Sequence, residues 1–170
     1  MRRSTVDRAV VAYTTTGNYG VGWVVVGALS RAPVRVAATV WGTLGVNYAV
    51  KLAVGRERPA PADALIRLPA SSSFPSSHAA MSVAAAFALS RARPELAPVW
   101  WAAAAAMAAS RVYVGAHRPG DVVAGAALGA TAALVLWHPS VRKPLHRLAE
   151  WAGTIYDRGV VALGRRVRLT

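Results

Sequence analysis

Long apolar stretches, separated by shorter polar segments, run along most of the chain. Five of them approach the ~17–25 residues that a membrane-spanning helix needs, and they cover residues 9–29, 33–54, 77–90, 96–116 and 121–137. The polar run T-T-T-G-N-Y-G at residues 14–20 weakens the first, and Arg91 cuts the third short. The pattern predicts an all-α protein, an integral membrane helical bundle of about five transmembrane helices.

Composition agrees with a membrane bundle better than with an ordinary soluble domain. Of the 170 residues, 55% are hydrophobic, and the mean hydropathy is positive. Runs of small residues, such as A-G-A-A-L-G-A-T-A-A at residues 124–133, suit helices that pack by close approach of their backbones. The chain has no Cys, which excludes disulfides and thiolate metal sites.

The formal net charge of +13 is typical of proteins that bind nucleic acid. Here, however, the cations cluster at the ends of apolar stretches and after residue 140, as the positive-inside rule and anionic lipid headgroups require. We therefore predict no nucleic-acid partner. We expect a membrane-embedded domain over residues 1–140 and a basic, amphipathic tail over residues 141–170 that lies on anionic headgroups. The alternative is a membrane adaptor that binds polyanions through this tail.

Because consecutive spans alternate in direction, the unusual polar residues collect on one membrane face. The opposite face carries Arg31, Arg35, Arg91, Arg93 and the basic tail, and it becomes the more basic face once the candidate site residues are set aside. The positive-inside rule places that basic face in the cytoplasm. We therefore predict a multi-pass protein whose polar cluster faces the extracytoplasmic side.

Three polar pieces form that cluster: K-L-A-V-G-R-E-R-P at residues 51–59, F-P-S-S-H at 74–78 and S-R-V-Y-V-G-A-H-R-P-G-D at 110–121. They bring the cations Lys51, Arg58 and Arg111 to the ends of apolar stretches, where ionisable groups are costly and usually functional. Lys51 taken alone is explained as well by snorkelling of its ammonium group. The three cations together indicate a site for a dense anion such as phosphate.

Two histidines stand at helix ends on the same face. Asp121 follows His117 by four positions, and a nearby carboxylate fixes the tautomer of an imidazole whose other nitrogen attacks an electrophile. A chance His–Asp pair in a polar turn is the alternative. His78 opens the third apolar stretch, where the hydroxyls of Ser76 and Ser77 and the free N–H groups of a helix start can hold phosphate oxygens. The remaining His138 and His146 are predicted to have no chemical role.

These pieces resemble the signature of the type 2 phosphatidic acid phosphatase (PAP2) superfamily, which reads K-x6-R-P, P-S-G-H and S-R-x5-H-x3-D. Every polar position of the signature is matched, by Lys51, Arg58, Pro59, Pro75, Ser76, His78, Ser110, Arg111, His117 and Asp121. The one departure is Ser77, where the family usually has Gly. The resemblance covers residues 51–121.

The resemblance implies a bacterial membrane lipid phosphatase that works without a metal or any other cofactor. His117 would be the nucleophile and form a phosphohistidine, Asp121 would orient it, and His78 would protonate the leaving oxygen and then activate water. The phosphoryl oxygens would be bound by Lys51, Arg58, Ser76, Ser77 and Arg111.

The implied substrates are lipids that carry a phosphomonoester or a diphosphate. Polyprenyl phosphates and diphosphates come first among them and phospholipids second. The alternative from another class is a membrane protein that binds a phospholipid headgroup without cleaving it. The pair of His117 and Asp121 separates the two, since a site that only binds anions has no need of it.

Overall fold

The computed structural model describes residues 4–59 and 64–141. Within these residues the protein is entirely helical, as the sequence predicts, with two short 3-10 turns at Asn18–Gly20 and Pro94–Leu96. The α-helices are α1 (Thr5–Thr16), α2 (Val21–Ala28), α3 (Pro33–Val54), α4 (Ser77–Ala92), α5 (Ala97–Tyr113) and α6 (Pro119–Trp137).

Helices α3 to α6 follow the last four predicted spans to within a few residues, but the first predicted span is two helices. The chain breaks between α1 and α2, where Tyr19 has φ 52° and Gly20 has φ 73°. Two successive residues in the left-handed region cannot continue a right-handed helix. Within the described residues, α6 alone is long and apolar enough to cross a membrane on its own, so the count of five spans stays a prediction.

The helix ends follow local signals in the sequence. Pro33 occupies the first turn of α3, and Gly55 ends that helix with φ 63°, a conformation that Gly adopts at little cost. Ser76 caps α4, since its hydroxyl accepts a hydrogen bond from the Ala79 amide at 3.5 Å. These two ends, the last turn of α3 and the first turn of α4, carry candidate site residues.

Helix α4 is the centre of the bundle and packs against α3 and α5. Six of its seven alanines are fully buried, among them Ala79, Ala80 and Ala84, which lets the neighbouring backbones come close. Helix α6 approaches it through glycines: a Cβ at Gly125 would overlap the carbonyl oxygen of Ser76, and one at Gly129 would overlap that of Ala80. The two helices therefore touch backbone to backbone, as small-residue helix pairs do in membranes.

The bundle keeps polar groups inside and large apolar groups outside. Asn47, Thr43 and Asp121 are fully buried, whereas Leu52 is 85% and Leu29 is 79% exposed. Water disfavours such an exposed apolar surface, whereas lipid accommodates it and drives polar side chains into the bundle.

Contacts divide the chain after Ala133 into two units, and every candidate site residue belongs to the first. The predicted interfacial tail, residues 141–170, lies outside the described residues except for Val141. His146 falls in that segment as well.

Candidate active site

The end of α3 and the segment after it supply two of the candidate cations. Lys51 lies in the last turn of α3, is 4% exposed, and donates from Nζ to the carbonyl oxygen of Ser72 at 2.6 Å. The turn at Gly55 then reverses the chain, and Arg58 extends back across the same 71–72 segment, donating from Nε to the Ser71 carbonyl at 2.8 Å. The two cations thus hold the loop that precedes α4 through hydrogen bonds to its backbone carbonyl groups.

The start of α4 is joined directly to the start of α6. Ser76, which caps α4, donates its backbone N–H to the carbonyl oxygen of Asp121 at 2.9 Å. Because the α4 amides have no intrahelical acceptors in the first turn, this end of the helix favours an anion. His78 lies in that first turn of α4. The hydrogen bond from Ser76 to Asp121 therefore sets the distance between His78 and the pair of His117 and Asp121.

His117 is placed by a tight turn after α5. Gly115 adopts φ 75°, and the amides of Ala116 and His117 both donate to the Arg111 carbonyl, at 3.1 and 3.2 Å. The turn folds the chain back so that His117 is 4% exposed and Asp121 is fully buried. Nδ1 of His117 then lies 3.7 Å from Oδ2 of Asp121.

Arg58 fixes which nitrogen of His117 carries the proton. Its Nη1 lies 3.1 Å from Nε2 of His117 and donates to the Ala116 carbonyl at 3.0 Å. A guanidinium can only donate, so Nε2 must accept and the proton of the neutral ring stands on Nδ1, facing Asp121. Nε2 therefore carries the lone pair of the ring, which faces Arg58 and accepts its hydrogen bond.

Burial and neighbouring cations keep His117 neutral. Desolvation is the largest cause, followed by Arg58, Arg111 and Lys51, and together they lower the pKa of His117 to about 3, against an opposing effect of Asp121. Burial also lowers the pKa of Arg58. A neutral imidazole is the form that can act as a nucleophile.

The lowered pKa of His117 predicts a specific loss of stability in acid. Below pH 6.5 the unfolded chain binds a proton at this position while the folded chain does not, so the free energy of unfolding falls as the pH drops towards 3. At pH 5 the contribution is on the order of 1–2 kcal/mol. Thermal unfolding in detergent at pH 8 and pH 5 should therefore show a larger fall in Tm for the wild type than for His117→Gln. Equal falls would contradict the assignment.

A cleft of about 370 Å³ opens beside these groups. Of the eight candidate site residues, five line it: Arg58, Ser77, His78, Arg111 and His117. Asp121 stands behind His117, Ser76 caps α4, and Lys51 lies against the adjoining 71–72 segment. The fold thus gathers three sequence pieces, separated by up to seventy residues, around one opening.

The charged side chains that line the cleft are the arginines Arg58, Arg67 and Arg111. In residues 4–59 and 64–141 no group of three or more His, Cys, Asp or Glu side chains is arranged to hold a metal ion. Arg111 is 2% exposed and donates from Nη1 to Thr14 Oγ1 at 2.7 Å, while its buried Nε has no hydrogen-bond partner within the described part of the chain. An anion in the cleft would satisfy such a group.

Ser77, the departure from the family signature, is tied to α3. Its hydroxyl donates to Oδ1 of Asn47 at 2.6 Å, and Nδ2 of Asn47 lies 3.4 Å from the carbonyl oxygen of Pro75. Asn47 is fully buried. The hydrogen bonds of Asn47 to Ser77 and Pro75 therefore hold the turn that leads into α4 against α3. The hydroxyl lines the cleft but already has a protein acceptor.

Ser77→Gly should therefore lower stability and leave catalysis nearly intact. Removing the hydroxyl leaves the buried Asn47 oxygen unsatisfied, which costs about 1–3 kcal/mol, while the family's usual Gly keeps the helix start open to phosphate. We expect kcat and KM within about threefold of the wild type and a lower Tm, measured alongside Ser77→Ala. A tenfold loss of kcat at unchanged Tm would instead assign the hydroxyl to phosphate binding.

Sequence reasoning missed Arg56. Its Nη1 lies 3.0 Å from Oδ1 of Asp121, and its guanidinium carbon stands 4.6 Å from the ring centre of Phe74. Arg56 thus ties the first polar piece to both others. The available signal was the first arginine in G-R-E-R, together with the need of a buried carboxylate for a cationic partner.

Known proteins resemble this chain both in sequence and in fold. The sequence model of the PAP2 superfamily matches residues 32–144. The decaprenylphosphoryl-5-phosphoribose phosphatase of Mycobacterium tuberculosis is 33% identical over 130 residues, covering 71% of this chain and 72% of that protein. The protein of the same name from Mycolicibacterium smegmatis is 32% identical over 119 residues, covering 64% and 65%.

Two crystal structures share the fold. The transmembrane PAP2-type phosphatidylglycerolphosphate phosphatase of Bacillus subtilis superposes with a TM-score of 0.65 at 22% identity, covering 80% of this chain and 77% of its own. LpxE of Aquifex aeolicus gives a TM-score of 0.67 at 21% identity, covering 79% and 86%. With the family match spanning most of the sequence, the chain belongs to the PAP2 superfamily and is a phosphatase, a phosphoric monoester hydrolase.

Proposed function

We propose that the chain removes phosphate from a lipid-borne phosphomonoester through a phosphohistidine on His117, without a metal ion. The observation that carries the proposal is the setting of His117, with Nε2 3.1 Å from Nη1 of Arg58 and Nδ1 3.7 Å from the Asp121 carboxylate. A lone pair aimed at a cation-lined cleft, with a carboxylate behind the ring, suits nucleophilic attack on phosphorus.

In the first step Nε2 of His117 attacks the phosphorus and the bond from phosphorus to the lipid oxygen breaks. The negative charge of a phosphate bound among the cations favours protonation of the His78 ring, and this ring gives its proton to the leaving oxygen, which departs as an alcohol. Asp121 stabilises the positive charge that the His117 ring acquires. Positioning and neutralisation of the phosphoryl oxygens supply most of the rate in such reactions.

In the second step water attacks the phosphohistidine. His78, now neutral, takes a proton from the water as the nitrogen–phosphorus bond breaks, and inorganic phosphate leaves. His117 returns to its neutral form and His78 to its protonated form, so each turnover consumes one ester and one water. The same residue serves first as acid and then as base, as microscopic reversibility allows.

Arg58 and Arg111 are proposed to hold the phosphoryl oxygens, because both line the cleft and Arg111 has a buried Nε without a partner among the described residues. Lys51 adds positive charge to the site, since it is among the causes of the lowered pKa of His117. The Ser77 amide at the start of α4 completes the cradle, while Ser76 caps the helix and its own amide binds the Asp121 carbonyl.

Polyprenylphosphoryl sugar phosphates are the proposed substrates. The support is the likeness to two decaprenylphosphoryl-5-phosphoribose phosphatases, at 33% and 32% identity. The cleft of about 370 Å³ also reaches past the phosphate-binding groups to Tyr19, Tyr48 and Arg67, which offer stacking and hydrogen-bonding surfaces to a sugar. The phosphate removed would be the one on the sugar.

We place the protein in a bacterial plasma membrane, with several spans and with the site on the extracytoplasmic side. The support is the polar interior under an exposed apolar surface, with Leu52 85% exposed, and the concentration of cations on the face opposite the site. The predicted basic tail would lie on anionic headgroups of the cytoplasmic leaflet.

Release of inorganic phosphate by the purified protein in detergent tests this function. The panel is a polyprenylphosphoryl pentose phosphate, a polyprenyl diphosphate, phosphatidate and phosphatidylglycerophosphate, each with excess chelator. We expect the highest kcat/KM for the sugar phosphate and the same rate with and without chelator. No release from any lipid would reject the function, a preference for phospholipids would reject the substrate, and rescue by added Mg²⁺ would reject the metal-free mechanism.

A further inference from the structure

The polar run at residues 14–20 covers the last turn of α1 and the break before α2, and apart from Tyr19 it has no part in the function described above. It nevertheless packs against the site. A Cβ at Gly17 would stand 2.8 Å from Cδ2 of the His78 ring and 2.8 Å from Sδ of Met107. The backbone of the break therefore lies flat against the proposed acid, and a side chain larger than that of Gly would displace the ring.

Asn18, the next residue, contacts the ring itself. Its Oδ1 lies 3.1 Å from Nε2 of His78. An amide oxygen only accepts hydrogen bonds, so the contact requires a proton on Nε2 and fixes the rotation of the ring. Asn18 and His78 both line the cleft, which places the bond at the opening where a leaving oxygen would enter.

The backbone at this position is held in an unusual conformation. Tyr19, the residue after Asn18, has φ 52°, in a region that non-glycine residues occupy rarely and at a cost. Such strain collects at sites where geometry is functionally constrained. Here it turns the Asn18 side chain to the ring of His78 rather than along a continuing helix.

The same segment also holds Arg111. Thr14 is 1% exposed, and its Oγ1 accepts a hydrogen bond from Nη1 of Arg111 at 2.7 Å. The bond orients the guanidinium so that its remaining donors are available to the cleft, which Arg111 lines. Two residues of one short segment thus contact two different members of the proposed machinery.

We propose that two residues of this segment belong to the active site: Asn18 positions His78 for proton transfer, and Thr14 positions Arg111 for phosphate binding. The inference rests on the proposed roles of His78 and Arg111 and extends them to a segment outside the family signature. Asn18 acts on the leaving oxygen through His78 and is a positioning residue.

The test for Asn18 uses a pair of short phosphomonoesters of similar size, one with an alkyl leaving group and one with a nitrophenyl leaving group. The alkyl ester needs a proton from His78, whereas the nitrophenolate leaves without one. Asn18→Ala should lower kcat for the alkyl ester by about 10²-fold and for the nitrophenyl ester by less than about threefold. Asn18→Asp keeps an acceptor oxygen and should resemble the wild type in this ratio.

Two reference variants make the outcome decisive. Thr16 lies in the same turn, and among the described residues its exposed hydroxyl donates to the Tyr13 carbonyl at 2.7 Å. Thr16→Ala should therefore leave kcat unchanged for both esters. His78→Ala should show the leaving-group dependence in full. If His78→Ala lacks that dependence, the acid role in the proposed function fails. If His78→Ala shows it and Asn18→Ala slows both esters equally, the positioning role of Asn18 alone is overturned.

Thr14 is tested by affinity for inorganic phosphate as a competitive inhibitor. Thr14→Val keeps the shape of the side chain and removes the acceptor, and should weaken inhibition and raise KM by about tenfold while kcat changes less. Thr14→Ser restores the hydroxyl and should restore both constants. Unchanged inhibition in Thr14→Val, or no rescue by Ser, would overturn the role of Thr14.

Discussion

Replacing His117 with Ala is expected to lower phosphate release by more than about 10⁴-fold, the scale seen when an enzyme loses its nucleophile. Nε2 of His117 accepts from Arg58 at 3.1 Å, so the unprotonated nitrogen stands next to a cation that is proposed to bind the phosphoryl group. Without the ring no nitrogen–phosphorus bond forms, and only direct attack by water remains. Binding of inorganic phosphate should survive, because the cations are untouched.

The measurement has two parts. Steady-state release of phosphate from the lipid gives the loss of turnover, and rapid quench with a ³²P-labelled substrate gives the intermediate. In the wild type the label should stay on the protein in base and be lost in acid, as a phosphohistidine requires, and His117→Ala should trap none. His138→Ala is the matched control, because His138 is exposed and accepts only from the Ser140 amide at 3.4 Å among the described residues. Wild-type turnover in His117→Ala would end the proposed mechanism.

Asp121→Asn should reduce kcat by about 10³–10⁴-fold and leave KM nearly unchanged, by analogy with the carboxylate that orients a catalytic His in serine proteases. Oδ2 of Asp121 lies 3.7 Å from Nδ1 of His117 and accepts from the Arg118 amide at 3.0 Å. An amide at this position can turn its NH₂ group towards Nδ1. That arrangement favours the tautomer with the proton on Nε2, which has no lone pair for attack.

A loss of folding has to be separated from this loss of chemistry, because Asp121 is fully buried and pairs with Arg56 at 3.0 Å. Competitive inhibition by inorganic phosphate reports a folded site, and we expect it unchanged in Asp121→Asn. Asp7→Asn is the matched control, since Asp7 accepts hydrogen bonds from the Ser4 amide and the Tyr113 hydroxyl, neither of which belongs to the candidate site. A kcat for Asp121→Asn within tenfold of the wild type would show that the carboxylate does not orient His117.

Much of the architecture follows from local sequence signals. Helices α3, α4 and α6 begin or end at Pro33, Gly55, Ser76 and Pro119, residues whose backbone preferences or capping side chains act over a few positions. The three signature pieces could be placed on one face for the same reason, because alternating helices bring their ends together. Interactions between residues close in the sequence were therefore sufficient to predict the helix ends and the grouping of the three pieces.

The contacts that hold the site in place were not predictable in this way. Ser77 meets Asn47 thirty residues away, His78 meets Asn18 sixty residues away, and Arg56 meets Asp121 sixty-five residues away. Each joins two helices or loops whose mutual rotation depends on packing of the whole bundle. A single sequence indicates that such polar residues need hydrogen-bond or ion-pair partners, but it does not indicate which residues those partners are.

The polar run at residues 14–20 shows the difference most clearly. As a sequence feature it only weakens a predicted span, since Thr, Asn and Gly are unfavourable in lipid. In the fold, Thr14 contacts Arg111 and Asn18 contacts His78, so these polar side chains find partners in the candidate site. An interruption in an apolar stretch of this kind is a reason to look for a site.

The joint between α4 and α6 separates chemistry from substrate choice. Gly125 and Gly129 lie on the backbone of α4, and the Ser76 amide binds the Asp121 carbonyl at 2.9 Å, so the acid and the nucleophile are carried on one rigid frame built from main-chain atoms. Ile66, Arg67 and Pro69 line the cleft from a loop outside that frame. Exchange of these side chains can therefore change which lipid is accepted, while the acid and the nucleophile keep their places.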